Sequence, residues 1–82
     1  MGTRYVQVRV AGRDGKPSHG ARVSVQIHQF MAGGFTPDQN TDTEGIASFA
    51  LDIDSGAEIT VYVNGQPKTH RGSPHGQYQI YL

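Results

Sequence analysis

Residues 38–49 read DQNTDTEGIASF, and two incompatible structures compete for them. Asp38, Asn40 and Asp42 have the spacing of oxygen ligands at positions 1, 3 and 5 of a helix–loop–helix calcium site. Such a site also demands glycine at position 6 and a bidentate carboxylate at position 12. Those positions hold Thr43 and Phe49, and no window on either side has helical spacing. The alternative is a tight turn: Asp42 caps it, Gly45 supplies a positive φ, and a strand starts immediately afterwards. On this reading no metal is expected, and Phe49 belongs to a core.

Working outward, period-two alternation dominates the chain. Val6, Val8 and Val10 share one face of RYVQVRVA, and Ala21, Val23, Val25 and Ile27 share one face of ARVSVQIH. The same pattern sets Ala47, Phe49, Leu51 and Ile53 together, then Ala57, Ile59, Val61 and Val63, then Tyr78, Ile80 and Leu82. These segments are rich in β-branched and aromatic residues and predict strands A, B, D, E and G. Two weaker strands, FTPDQNT (C) and QPKTH (F), each contain a proline. Proline removes a ladder donor, so both are expected at sheet edges. Asn64-Gly65 between E and F favours a type I′ hairpin turn.

Seven short strands with one apolar face each are best buried as two packed sheets. The expected fold is therefore all-β, a seven-strand antiparallel two-sheet sandwich, either immunoglobulin-like or transthyretin-like. It forms one domain over residues 1–82, expected to be a module of a larger protein. The 11 glycines and 4 prolines agree with many turns. Without cysteine there is no disulfide, thiolate metal site or thiol nucleophile. Seven basic and seven acidic side chains cancel without forming a basic run, so neither nucleic acid nor membrane insertion is expected. The start MGTRYVQV lacks the apolar core of a signal peptide.

VQVRVAGRDGKPSHGARVSV, followed by TDTEGIASFAL, resembles the carboxypeptidase regulatory-like, or transthyretin-like, β-sandwich family. The resemblance spans about residues 5–63. It rests on Val6, Val8 and Val10, on Gly15-Lys16-Pro17, Gly20-Ala21, Val23 and Val25, and on Thr41-Asp42, Gly45, Ala47, Phe49 and Leu51. The bacterial immunoglobulin-like repeats of invasin-type adhesins are similar over the same span. The resemblance implies non-catalytic spacer or interaction modules of larger, often exported, proteins, and hence an extracellular or cell-surface location. Some exported immunoglobulin-like modules carry a Lys–Asn isopeptide bond with lysine on the first strand; here that strand has Arg4 and Arg9, and Lys16 lies in a turn. Transthyretin-like 5-hydroxyisourate hydrolases end in Tyr-Arg-Gly-Ser, whereas HRGS here is internal, at residues 70–73, and strand A has no histidine.

Candidate sites follow from strand parity. If every strand crosses its sheet, the A–B, C–D and E–F turns share one end, and the B–C, D–E and F–G connections share the other. His28, His70 and His75 would gather at the second end with Asp52 and Asp54, a set without the local spacing of metal ligands. Phe30, Met31 and Phe35 bracket the B–C connection, where Arg71 and His75 would form a polar rim. If the aromatic rings face solvent they make a partner-binding anchor; if they fold back they cap the core. No catalytic residue and no cofactor is expected. The leading expectation is a spacer or protein-interaction module contacting neighbouring domains or a protein partner. The first alternative is a carbohydrate-binding module using outward Tyr5, Tyr62 and Tyr81, and the second is a small transthyretin-like hydrolase.

Overall fold

The computed structural model describes residues 2–30 and 33–82. Eight strands are present and no helix occurs among the described residues: β1 (Gly2–Ala11), β2 (Arg22–His28), β3 (Gly34–Phe35), β4 (Gln39–Asn40), β5 (Ile46–Ile53), β6 (Glu58–Val63), β7 (Gln66–Pro67) and β8 (Gln77–Tyr81). They form two sheets. One has the order β5-β1-β8, and the other the order β3-β2-β6-β7, with β4 also paired to β2.

The alternating apolar residues all turn into the space between these sheets. Val6, Val8 and Val10 from β1, Phe49 and Leu51 from β5, and Ile80 from β8 meet Val23, Val25, Ile59 and Val61 from β2 and β6 in one buried cluster. Apart from Ala11 and Thr60, which are also buried, their neighbours in sequence are exposed or half-buried, as the two-residue period requires.

One feature departs from a purely antiparallel sandwich: β1 and β8 run parallel, with Val8 opposite Tyr78 and Val10 opposite Ile80. The reason is directional. Strands A and G are separated by six reversals of the chain, so they point the same way, and bringing them side by side makes a parallel pair. Strands A and D differ by an odd number of reversals, as do B and E, and both pairs are antiparallel.

Strand C is where the count exceeds seven. Phe35 pairs with Gln26 and Gly34 with Ile27, but Gln39 pairs with Val23 and Asn40 with Arg22. The register slips by one residue across Pro37, which splits the strand into β3 and β4 like a bulge. The Thr36 hydroxyl covers the gap, accepting the Val25 N–H at 3.0 Å. Strand F repeats the device: beyond Pro67, the Thr69 hydroxyl accepts the Val61 N–H at 3.0 Å. Both proline strands lie at edges, and in each a threonine replaces ladder bonding to a central strand.

The end that carries the A–B, C–D and E–F turns is closed by the Thr41 and Asp42 side chains together with the turn backbone. Asp42 Oδ1 accepts N–H groups from Glu44 (2.9 Å) and Ile46 (3.0 Å). Gly45 has φ +78° and is seated so that an added Cβ would lie 2.5 Å from the Val10 carbonyl oxygen. Its own carbonyl accepts the Val10 N–H at 2.7 Å. Thr41, buried behind it, accepts the Ala21 N–H at 2.9 Å and donates its hydroxyl to the Ser18 carbonyl at 2.5 Å. Asn64 (φ 52°) and Gly65 (φ 81°) make the turn between β6 and β7 with both central residues at positive φ, the type I′ requirement.

Phe49 is the largest side chain of this core. Phe49→Ala is expected to destabilise the domain by about 3–5 kcal/mol, which is much of the total for a chain this small. Urea unfolding would measure it, and a loss below about 1 kcal/mol would contradict the core assignment.

Candidate functional site

The opposite end is built differently. The connections β2–β3, β5–β6 and β7–β8 meet there, held by both side-chain and backbone bonds. The Gln29 side-chain oxygen accepts the Asp54 N–H at 3.0 Å, joining two of the connections. Gly72 bridges to Ile59 through reciprocal backbone bonds and brings the third against β6. Between them lies an open groove of ≈ 630 Å³, lined by Gln26, His28, Gln29, Phe30, Gly33 and Arg71 among others.

The groove runs onto the outer face of the β2–β6 pair, where side chains are matched across the strands. Arg71 Nε donates to Glu58 Oε1 at 2.8 Å. His28 Nε2 lies 3.0 Å from the Thr60 hydroxyl. The Tyr62 hydroxyl donates to Gln26 Oε1 at 3.0 Å, and the Phe35 ring meets the Tyr62 ring edge-on at a centroid distance of 5.1 Å. Thr60 faces outward yet is buried, so this row covers the sheet as a second, polar layer. Cross-strand pairs of this kind stabilise a sheet by roughly 0.2–1 kcal/mol each.

Of the residues the sequence singles out, His28, Phe30 and Arg71 line this groove together. Phe30 is 88% exposed, so it does not cap the core. Phe35 is exposed on the adjoining outer face, where Tyr62 holds it. Met31 lies outside the described residues. His75 goes elsewhere: its N–H donates to the Tyr78 hydroxyl at 2.9 Å, and its ring packs edge-on against Tyr78. It is therefore tied to the start of β8 and does not line the groove.

The other candidates are dispersed. Among the described residues no three His, Asp or Glu side chains come together as metal ligands do. Asp38 pairs with Arg22 at 3.6 Å, and Asp42 is turned to its own backbone. Tyr5 and Tyr81 share the outer face of the three-stranded sheet. Tyr81 lies opposite Ala11, six residues along β1 from Tyr5, or roughly 20 Å at the rise of a strand. Tyr62 is on the opposite face of the sandwich, so the three tyrosines form no strip.

The residues not foreseen are Gln26, Glu58 and Thr60. Each stands at an outward position of an alternating strand, but their partnership appears only once β2 is known to lie beside β6. A scan against protein-family models and a search of curated proteins find no match for the chain.

Phe30→Ser is expected to leave stability within about 0.5 kcal/mol of the parent, because an exposed side chain contributes little to folding. Glu58→Ala removes the partner of Arg71, and as an exposed pair it is expected to cost at most about 1 kcal/mol. Thermal melts of both variants check this; a large loss for Phe30→Ser would mean that its ring is structural.

Proposed function

We infer that this domain is a non-catalytic interaction module of a larger, exported protein, and that it docks a neighbouring domain or a protein partner through the groove end. The observation that carries this is Phe30: an aromatic ring almost wholly in water, at the rim of a groove that continues onto a hydrogen-bonded row of side chains. A bare aromatic side chain gains from leaving water, and aromatic and arginine residues dominate the energetics of interfaces. Arg71 and Glu58 beside it supply a polar rim able to orient a partner.

The strand order supports a transthyretin-like relationship over an immunoglobulin-like one. Immunoglobulin sheets group strands A, B, E and D against C, F and G. Here strand A sits between D and G, and B lies with C, E and F.

The test compares hydrogen exchange of the isolated domain with that of the same domain in its parent chain. Amides of residues 28–34 and 71–72 are expected to gain protection in the parent. Phe30→Ser is expected to abolish that gain and to weaken docking at least about tenfold, with an unchanged melting temperature. Equal exchange in both settings would overturn the reading. Protection centred instead on Tyr5 and Tyr81, induced by an added oligosaccharide, would favour the carbohydrate-binding alternative.

A further inference from the structure

Exposed sheet edges are templates for pairing, and proteins blunt them with short strands, prolines or charges. Two of the four edges here are blunted. Strand C is broken at Pro37, and β7 is two residues ending in Pro67. The edge strand β5 is different: eight residues, Ile46–Ile53, with no proline, no lysine and no slip in its register with β1.

Its free backbone groups can be assigned. Gly45 accepts from Val10 across the β1 side, so odd-numbered residues of β5 face β1 and even-numbered residues face outward. Ile46, the first outward residue, is satisfied by Asp42: its N–H donates to Asp42 Oδ1, and its carbonyl accepts the Asp42 N–H. Ser48, Ala50 and Asp52 follow, with exposed side chains and outward N–H and C=O groups that no other described residue engages.

We propose that this edge pairs with the β5 edge of a second copy of the chain, antiparallel about a two-fold axis at Ala50. The pairing joins two three-stranded sheets into one. In this register Ala50 faces Ala50 of the other copy and Ser48 faces its Asp52, each pair exchanging two backbone bonds. The Ser48 hydroxyl can donate to the facing Asp52 carboxylate. A register centred on Asp52 would set two carboxylates opposite each other, which is destabilising; one centred on Leu51 would set Ala50 opposite Asp52 and lose the Ser48–Asp52 pair; a register shifted by one residue would turn apolar side chains outward. The inner row continues across the joint, with Phe49 opposite Leu51. The other unblunted edge, β8, is five residues long and offers no such complementary pair, since Gln79 at its centre would set Gln77 opposite Tyr81.

An edge-to-edge joint buries less than a standard interface, so the dimer is expected to be weak and reversible. Sedimentation velocity from about 10 μM to 1 mM tests it. The parent chain is expected to show a concentration-dependent dimer. Ser48→Asp places a second carboxylate opposite Asp52 at two symmetric positions and is expected to weaken association about tenfold. Ser48→Lys makes those pairs attractive and is expected to maintain or strengthen it, although lysine ordinarily blunts an edge. Melting temperatures should stay within a few degrees for both, because Ser48 is exposed. A chain monomeric at 1 mM would overturn the proposal and leave the edge to a strand of another protein. Equal effects from the two substitutions would overturn the register.

Discussion

The buried hydroxyl of Thr41 holds together two connections that each cross from one sheet to the other. It accepts the Ala21 N–H and donates to the Ser18 carbonyl, while the Thr41 backbone bonds to Gly20 and Ala21. Four residues on, Gly45 closes the same junction against Val10 of the other sheet. Two facing sheets share a hydrophobic core but no ladder bonds, and an apolar interior by itself is non-directional. Thr41 and Gly45 supply the direction. They fix where the chain leaves the five-stranded sheet and how strand D enters the three-stranded one. A side chain at position 45 would collide with the Val10 carbonyl, so the glycine is a packing requirement as well as a conformational one.

That arrangement makes the two ends of the sandwich unequal. At the Thr41 end the Thr41 and Asp42 side chains are spent on satisfying the turn backbone. At the other end the connections rest on Gln29, on the Gly72–Ile59 bridge and on the Arg71–Glu58 pair, and Phe30 projects into water. Binding surfaces commonly sit on loops carried by a rigid scaffold, and here one closed end leaves the opposite loops free to vary. The threonine substitutes beside Pro37 and Pro67 serve the same division. They keep the outer strands attached while denying other chains a continuous edge, which concentrates exposed pairing capacity on β5.

The elements legible in the sequence were those set by local chemistry. Alternating valines gave the strand faces because side-chain direction in a strand depends only on parity. Asn64-Gly65 gave its turn because few residue pairs adopt positive φ twice. Pro37 and Pro67 marked edges because neither can donate. The parallel pairing of β1 with β8 was less accessible: it depends on which strand lies beside the first, a long-range choice that leaves no mark on either strand. The site divided along the same line. Phe30 and Arg71 could be brought together by counting chain reversals. The row from Glu58 to Tyr62 needed the β2–β6 register, and His75 was drawn away by a contact three residues distant, with Tyr78.

The clasp at Thr41 is tested most directly by amide hydrogen exchange in Thr41→Val, which keeps the shape and deletes the hydroxyl. Leaving the buried Ala21 N–H and Ser18 carbonyl without their partner costs about 1–3 kcal/mol. If the clasp joins the sheets, that cost is global: the amides of the fully buried Val8 in one sheet and Val61 in the other lose protection by the same factor, roughly ten- to a hundredfold. Faster exchange confined to residues 18–21 and 41–45, with Val8 and Val61 unchanged, would show local fraying and contradict the account.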